Sequence, residues 1–467
     1  MIKVLMYFFL LMLLGRVNTE KHKDAVCVND RPVEIVPFKD YSYIEVNDNV
    51  PFDVSLSYKG DSSSVDVSPH SRNIKVNCDN GIARFTIHER GYYMVNINGK
   101  RLYIFAEAKR QTPEDGVDVK SFPGVVADGK TNVTVALQKA IDESALSEYK
   151  LVFTPGVYLC DALIIPTGAD IFLEKGAVIK ADPDYMFNAP VCNGFVTVDN
   201  AEDVRIDGEG AIDGGGAEIR AKRRTRLLLV RGSKNVSIQG IKLQDPALWN
   251  THILGSENVT CQNVKLLCDW AVKNTDGFDP DCSKNVTIDN CFGHCSDDAV
   301  AIKSTGHCGL LQNVENIKVS NCVFATKKSA LKVGTETRAE SMSGIRFINN
   351  DIIECDRGIS LYVADGTNLH DVVYSDNRIE KNYPDTLMMP FHFYARKRKP
   401  TSKVGHIYDV TIENATFETA FPCAPIAECL EGGTIDVNFV NLKINGDIIT
   451  DEKQLGTIKT TSNISYK

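Results

Sequence analysis

The stretch Asn235-Val236-Ser237-Ile238-Gln239-Gly240-Ile241-Lys242-Leu243 decides the predicted fold, because its pattern returns along most of the chain. A hydrophobic–polar–hydrophobic triplet, usually introduced by Asn or Asp, precedes a second short strand. Successive triplets lie about 29 residues apart on average. They are Val204-Arg205-Ile206, Val236-Ser237-Ile238, Val259-Thr260-Cys261, Val286-Thr287-Ile288, Ile317-Lys318-Val319, Ile345-Arg346-Phe347, Val372-Val373-Tyr374, Val410-Thr411-Ile412 and Val437-Asn438-Phe439.

A unit of this length cannot bury its apolar side alone, whereas stacked units bury one continuous core. The interval is too short for a four-stranded propeller blade, and the unit lacks the helical half of ankyrin or tetratricopeptide repeats. The repeat therefore predicts an all-β chain whose main domain is a parallel β-helix.

One helix is predicted at the start of this domain, over residues 132–143, where Val133, Leu137, Ala140 and Ile141 follow helical spacing. Val133 and Val135 also alternate as in a strand, so its first residues are ambiguous. We expect the helix to cap the open end of the coil and cover its exposed strand edges.

Residues 26–110 differ from the repeat, because they form short alternating strands separated by turn residues, as in a small β-sandwich. Examples are Tyr43-Ile44-Glu45-Val46 and Ala83-Arg84-Phe85-Thr86-Ile87. Polar residues 109–116 predict a linker, after which the β-helix domain would occupy residues 116–467. The sandwich would serve as a carbohydrate-binding module or as a structural wall of the cleft.

Residues 1–19 resemble a secretion signal, since Lys3 precedes an apolar run from Val4 to Leu14 and a polar stretch follows. A buried strand or a membrane anchor is the alternative interpretation, but the run is too short to span a bilayer. The sequence therefore predicts a secreted or periplasmic protein without a membrane span.

The amino-acid composition limits the classes of partner that the chain is expected to bind. The 467 residues include 52 Lys+Arg and 61 Asp+Glu, so the formal net charge is −9. A nucleic-acid-binding protein needs a basic face to displace counterions, so nucleic acid is not expected as a partner. The hydrophobic content of 43% suits a globular protein, here expected to be a monomer.

The 14 cysteines allow some disulfides in a secreted chain, although several lie in predicted strands where a free thiol packs as a small hydrophobe. The spacing of Cys291, His294, Cys295, His307 and Cys308 fits no zinc pattern. Sequons at Asn235, Asn258 and Asn285 introduce the triplet. We therefore interpret these Asn residues as stacked turn residues rather than as glycosylation sites.

Two segments are denser in carboxylates than the repeat requires: residues 274–281, which contain Asp276, and residues 296–304, which contain Asp297 and Asp298. Asp276 and Asp297 are 21 residues apart, which places them about one strand spacing, ~4.8 Å, from each other on neighbouring coils. Adjacent carboxylates repel, so the pKa of one member rises, and such an acid and base are what glycoside hydrolysis requires. A solvated turn or a calcium site of Asp276, Asp279, Asp281, Asp297 and Asp298 is the alternative.

From about Gly116 to Thr416 the chain resembles glycoside hydrolase family 28, the polygalacturonase-like right-handed β-helix enzymes. The similarity begins at DVKSFPGVVADGKTNVTVALQKAID and continues through FTPGVYLCDALIIPTGADIFLEKGAVI from Phe153 and IDGEGAIDGGG from Ile206. The family's first two catalytic motifs are present as Asn274-Thr275-Asp276 and Asp297-Asp298.

The resemblance implies an inverting hydrolase that uses no metal or organic cofactor and acts on a polysaccharide such as pectin or a related glycan. Asp297 would be the general acid, and Asp276 and Asp298 the bases that activate water. Inversion requires roughly 6.5–9.5 Å between the acid and the base.

Two family motifs are missing. Lys328-Ser329-Ala330 stands where the family has Gly-His-Gly, and Ser360-Leu361-Tyr362 stands where it has Arg-x-Lys. In the family these basic residues hold the uronate carboxylate. Either other cations replace them or the sugar differs, and the sequence predicts these substrate-binding residues: Lys303, Lys332, Glu336, Arg357, Trp249 and His252.

Two other functions compete with hydrolysis. A polysaccharide lyase would need a basic residue near the α-proton and usually calcium. A non-catalytic β-helix glycan-binding protein would have no reason to keep three carboxylates at this spacing, although the missing motifs favour it.

Overall fold

A computed structural model describes residues 26–59, 65–147, 149–184, 194–459 and 462–467. The predicted signal segment 1–19 lies outside these residues. The chain divides into two compact units between Lys109 and Arg110. Within the described residues, no helix is both long and apolar enough to cross a membrane.

The N-terminal unit contains two five-stranded sheets that share one apolar core. All strand pairs are antiparallel except Tyr41–Val46 with Lys100–Ala106. In sheet order, the strands of one sheet are Arg31–Pro32, Val26–Val28, Phe52–Ser57, Ile82–Ile87 and Asn77–Asp79. Those of the other are Val36–Phe38, Tyr41–Val46, Lys100–Ala106, Gly91–Ile97 and Val65–Ser68.

The second unit is a right-handed parallel β-helix, as the repeat and the family resemblance predict. Each coil contributes strands to three sheets, called here the first, second and third sheets. Neighbouring strands are parallel, apart from the final antiparallel pair of the second sheet. The first sheet contains Val117–Asp118, Leu151–Phe153, Asp170–Leu173, Glu202–Gly208, Lys234–Gln239, Glu257–Gln262, Lys284–Asp289, Val314–Ser320, Ser341–Ile348, Asn368–Ser375, His406–Glu413, Thr434–Val440 and Asn463–Tyr466.

The other two sheets complete each coil. The second sheet contains Asp128–Asn132, Gly156–Cys160, Ala177–Ala181, Ala211–Asp213, Lys242–Gln244, Lys265–Leu267, Phe292–Cys295, Val323–Thr326, Asp351–Cys355, Arg378–Asn382, Thr416–Phe417, Lys443–Ile444 and Asp447–Ile448. The third sheet contains Leu163–Ile165, Gly194–Asp199, Arg226–Arg231, Thr251–Leu254, Phe278–Asp281, Val300–Ser304, Ser329–Thr337, Arg357–Val363, Met389–Ala395, Ile426–Cys429 and Ile458–Lys459.

The sequence triplets build the first sheet. Val236 pairs with Val259, Val259 with Val286, and Val286 with Ile317, so one apolar row runs along the inside of the coil. Polar triplet positions such as Thr287 point away from that core, because successive strand residues alternate between faces.

Asparagines stack at the turn before this sheet. The Asn258 side chain donates to Asn235 at 3.0 Å, and Asn285 donates to Asn258 at 3.1 Å. Each of these residues has a positive φ, which Asn tolerates better than most residues. The interpretation of the sequon asparagines as stacked turn residues is therefore confirmed.

The described α-helices are Thr134–Ser147 and Gly216–Lys222. The first begins two residues later and ends four residues later than predicted, because Asn132 belongs to a strand and its side chain accepts from the Thr134 amide at 3.1 Å. Leu137, Ala140 and Ile141 are buried in the β-helix core, as their spacing predicts.

Most cysteines of the β-helix pack as small hydrophobes. Cys261, Cys291 and Cys322 are free thiols, fully buried within the core of the coil. Cys308 is disulfide-bonded. The described thiols therefore contribute to packing rather than to cross-links.

Candidate active site

The coil brings the two carboxylate motifs together on the third sheet. Asp276 precedes strand Phe278–Asp281, and Asp297 and Asp298 precede the adjacent strand Val300–Ser304. The Gly277 amide donates to the Asp298 carbonyl at 2.8 Å, which holds the two turns side by side. One oxygen of each of the three carboxyl groups lies within 4.8 Å of the others, so the predicted juxtaposition is confirmed.

Two buried lysines compensate this negative charge. The Lys303 ammonium lies 2.9 Å from Asp276 and 2.7 Å from Asp279, and the Lys332 ammonium lies 2.6 Å from Asp298. Both lysine side chains are less than a tenth exposed. Each ammonium group supplies positive charge to these carboxylates that a calcium ion would otherwise bring.

Asp297 is the carboxyl group without such a partner. Among the described residues, no Lys or Arg forms an ion pair with it, and its side chain accepts from the Asn274 amide at 3.3 Å. Burial, together with the negative charges of Asp276 and Asp298, raises the pKa of Asp297 to about 7. This group therefore holds a proton at mildly acidic pH.

Asp298 has the opposite preference. Burial raises its pKa, but the positive charges of Lys332 and Arg357 outweigh that effect and leave the pKa below its usual value. The Ser329 amide donates to the same carboxylate at 3.1 Å. Burial raises the pKa of Asp276, with only partial compensation by Lys303. Three neighbouring carboxyl groups thus differ in how readily they ionise.

Serines occupy positions of the two missing basic motifs. The Ser329 hydroxyl lies 2.9 Å from that of Ser360 and accepts from the Arg357 guanidinium at 2.9 Å. Arg357 also lies 3.5 Å from the buried Asp356 carboxylate. Arg357 therefore lies beside the buried serines, with its charge already paired.

Trp249 and His252 lie on the other side of the carboxylates. Trp249 is half-buried, and the Lys303 ammonium lies 3.8 Å from the centre of its ring, within cation–π range. His252 is fully buried and lies 2.9 Å from Asp281. The His252 ring packs edge-on against Trp249 and has no exposed surface, so its contact with substrate stays a prediction that its burial does not favour.

Glu336 is half-buried and is paired with Arg398 at 3.0 Å. It lies at a bulge-like irregularity of strand Ser329–Thr337. Here the pairing with the preceding strand shifts register between Ile302 and Ser304. Lys303 and Arg398 keep the pKa of Glu336 below its usual value despite burial. The structure thus places Glu336 within electrostatic reach of the site.

Two contributors escaped the sequence analysis. Arg220, on helix Gly216–Lys222, donates to the Asn274 side-chain oxygen at 3.1 Å and to the Ala247 carbonyl at 2.8 Å. The amide nitrogen of Asn274 is thereby turned toward Asp297. Asp279 enters the sequence analysis only as a calcium ligand, although its place after the core residue Phe278 in a strand of alternating faces is a usable signal.

The carboxyl oxygens are closer together than the 6.5–9.5 Å expected for an inverting pair, since all three lie within 4.8 Å. The spacing alone therefore does not predict which anomer the reaction releases.

A family model described as glycosyl hydrolases family 28 matches residues 179–464. The chain belongs to this family. The matched region contains the three carboxylates and both lysines that pair with them.

Curated relatives of this family 28 member have low sequence identity to it. A probable polygalacturonase of Vitis vinifera is 29% identical over 39% of this chain and 43% of its own length. An endo-polygalacturonase of Pectobacterium carotovorum is 24% identical over 48% of this chain and 69% of its own length. The chain thus spans less than half of the Vitis protein.

Solved structures share the fold. An exopolygalacturonase from Thermotoga maritima has a TM-score of 0.62 at 20% identity, covering 76% of this chain and 93% of that one. Dex49A from Penicillium minioluteum has a TM-score of 0.66 at 14% identity, covering 95% of this chain and 94% of that one. At these identities the likeness concerns the fold alone.

Proposed function

We propose that this family 28 member is a secreted enzyme that hydrolyses O-glycosidic bonds of a pectin-like or related polysaccharide. The observation that supports this most is the difference in pKa between adjacent carboxyl groups. Asp297 has a pKa of about 7, whereas Lys332 and Arg357 keep Asp298 ionised. Neighbouring carboxyl groups with divergent pKa values supply the acid and the base that glycoside hydrolysis requires.

In the proposed reaction, Asp297 donates its proton to the glycosidic oxygen as the bond from that oxygen to the anomeric carbon breaks. A water molecule attacks the anomeric carbon from the opposite face, and Asp298, with Asp276, accepts the proton from that water. Lys303 and Lys332 hold these two carboxylates in place through direct ion pairs. The general acid step is expected to contribute about 10²–10⁴-fold to the rate.

We propose inversion because the family resemblance implies it. The short carboxyl spacing also suits direct attack by a carboxylate, which would retain the configuration. The stereochemistry of the first product therefore separates the two mechanisms. Proton NMR of the reaction mixture before mutarotation should show the inverted anomer, and the retained anomer would contradict the water-attack mechanism.

The activity itself is tested by reducing-end release from a panel of pectic and neutral glycans. Asp297→Asn should lower the rate on the best substrate about 10²–10⁴-fold with an unchanged melting temperature. A matched control is Asp289→Asn on the first sheet, where the carboxylate accepts from Ser320 and Asn321 far from the site. Equal loss in both variants, or an unsaturated product that absorbs in the ultraviolet, would overturn the proposal.

A further inference from the structure

One wall of the site has few charged side chains that are not already paired with a group of opposite charge. It is formed by the outward-facing residues of three adjacent third-sheet strands, Ser329–Thr337, Arg357–Val363 and Met389–Ala395. We call it the downstream wall. Its members are Lys332, Ser360, Tyr362, His392 and Tyr394, which alternate with core residues such as Leu331, Leu361 and Phe393.

The strand register aligns these side chains in rows. Lys332 pairs with Ser360, and Ser360 with His392, while Tyr362 pairs with Tyr394. The first row begins at Lys332, whose ammonium touches Asp298, so the wall starts at the proposed catalytic carboxylates and continues along the coil. A sugar bound next to the scissile bond on this side would lie over the wall.

The two charged basic residues of these three strands, Lys332 and Arg357, are each already paired with a carboxylate. Lys332 is paired with Asp298 at 2.6 Å, and Arg357 with Asp356 at 3.5 Å. His392 lies 2.8 Å from the Tyr362 hydroxyl, and burial together with nearby Arg357 and Arg396 lowers its pKa to about 4, so the ring is neutral at ordinary pH. Lys303, on the preceding strand, already faces Asp276 and Asp279.

A sugar carboxylate over this wall would be unfavourable. It would lose hydration and lie beside Asp298 and the other two carboxyl groups, while Arg396, which stacks on Tyr394 at 3.7 Å, already has the Glu428 carboxylate 4.0 Å away. If Lys332 turned toward the sugar, the buried Asp298 would lose its partner, and breaking a buried ion pair is strongly destabilising. Hydroxyl groups of a neutral sugar carry neither penalty and match the polar, uncharged Tyr362 and His392, which keep a small exposed surface.

We infer that the sugar residue held against the downstream wall, next to the scissile bond, is uncharged rather than a uronate. This inference rests on the proposed function and specifies its substrate class. It predicts that the enzyme prefers a neutral polymer over an acidic polymer of the same linkage.

Polygalacturonan and its carboxyl-reduced form, an α-1,4-linked galactan, make a matched pair, because reduction replaces each carboxylate by a hydroxymethyl group. Reducing-end release by the wild-type enzyme should be at least about tenfold faster on the reduced polymer. An equal or faster rate on polygalacturonan overturns the inference. A parallel panel of rhamnogalacturonan and neutral α-glucans extends the same comparison, and faster turnover of neutral residues at the cleaved bond supports it.

Restoring charge to the wall gives a second, independent measurement. Tyr362→Lys combined with Ser360→Arg should shift the ratio of rates toward polygalacturonan by about tenfold or more. Tyr362→Phe is the uncharged control and should keep the preference for the neutral polymer. If the double variant does not fold, the wild-type comparison still decides.

The outcomes separate the two proposals. Hydrolysis that depends on Asp297 but favours the acidic polymer overturns only the neutral-sugar inference. Absence of hydrolysis on every acidic and neutral glycan, or activity that survives Asp297→Asn, overturns the proposed function and the inference with it.

Discussion

The first and third sheets of the β-helix belong to the same coils, yet they use their outward faces differently. On the first sheet, ion pairs such as Lys284–Glu315 are partly exposed, with 34% and 42% of the side chains accessible. On the third sheet, the Lys303–Asp276 pair has 4% and 6% accessible. Exposed pairs contribute little to stability, whereas a buried charge must keep its partner.

This contrast shows which sheet bears the free-energy cost of burying charged side chains. A stack of apolar rows and asparagine ladders supports the first sheet, in which Asp207, paired with Arg205 at 2.9 Å, is buried. The third sheet and the turns before its strands bury many more charged groups, which a purely structural surface would not need; among them are Asp276, Asp279, Asp298, Lys303 and Lys332. The first three predictions below each change one residue of the site and one counterpart on the first sheet, and the fourth changes the first sheet alone.

The largest difference is expected for the two lysines. Lys303→Met leaves Asp276 and Asp279 buried without their cation, so the free energy of unfolding should fall by about 3–5 kcal/mol. Lys284→Met removes an exposed pair and should cost about 1 kcal/mol or less. Urea unfolding of both variants measures this, and equal losses would contradict the distinction between the sheets.

The pH dependence of hydrolysis should follow the two acidic groups. The rate should fall as the pH rises through about 7, because Asp297 must be protonated, and it should fall at acidic pH as Asp298 gains a proton. Lys332 lowers the pKa of both groups, so Lys332→Met should move both limbs to higher pH.

Profiles of kcat against pH for Lys332→Met and for Lys318→Met would measure this shift. Lys318 is exposed on the first sheet, and its replacement should leave both limbs unchanged. Limbs that stay in place in Lys332→Met would show that another group governs Asp298.

Arg220 is expected to act through Asn274. In Arg220→Met the Asn274 amide loses the partner that turns its nitrogen toward Asp297, so kcat should fall about tenfold with a smaller change in KM. Arg220→Lys should recover part of the loss. The first-sheet counterpart, Arg346→Met, removes a pair with Asp371 and should keep full activity. Steady-state kinetics would test this, and an unchanged kcat in Arg220→Met would exclude the positioning role.

The smallest effect concerns the asparagine ladder and should touch stability alone. Asn258→Ala removes hydrogen bonds to Asn235 and Asn285 at a position with φ of 55°, and should lower the free energy of unfolding by about 1 kcal/mol. Asn258→Gly should lose less, because Gly adopts a positive φ freely. Denaturant unfolding distinguishes them, and any loss of hydrolytic activity would break the separation between the sheets.

The repeat made the fold predictable, because a hydrophobic–polar–hydrophobic triplet predicts both a strand and the face of that strand that is buried. Once Val236, Val259 and Val286 are aligned, stacking follows and needs no further information. The same counting placed Asp276 beside Asp297 and Asp298, since residues one coil apart lie over one another. Both results depend on local pattern and on a regular period.

The tertiary structure alone decided which charges meet. Strand Ser329–Thr337 shifts its register between Val333 and Thr337, so counting along the repeat does not locate Glu336. The repeat places Lys332 on the coil next to Asp298, but only the packed structure shows that the two form an ion pair at 2.6 Å. The burial of His252 and the contact of Arg220 with Asn274 do not follow from the repeat. A side chain's burial and partner depend on every coil around it, and only the packed coils fix the pKa values that set acid apart from base.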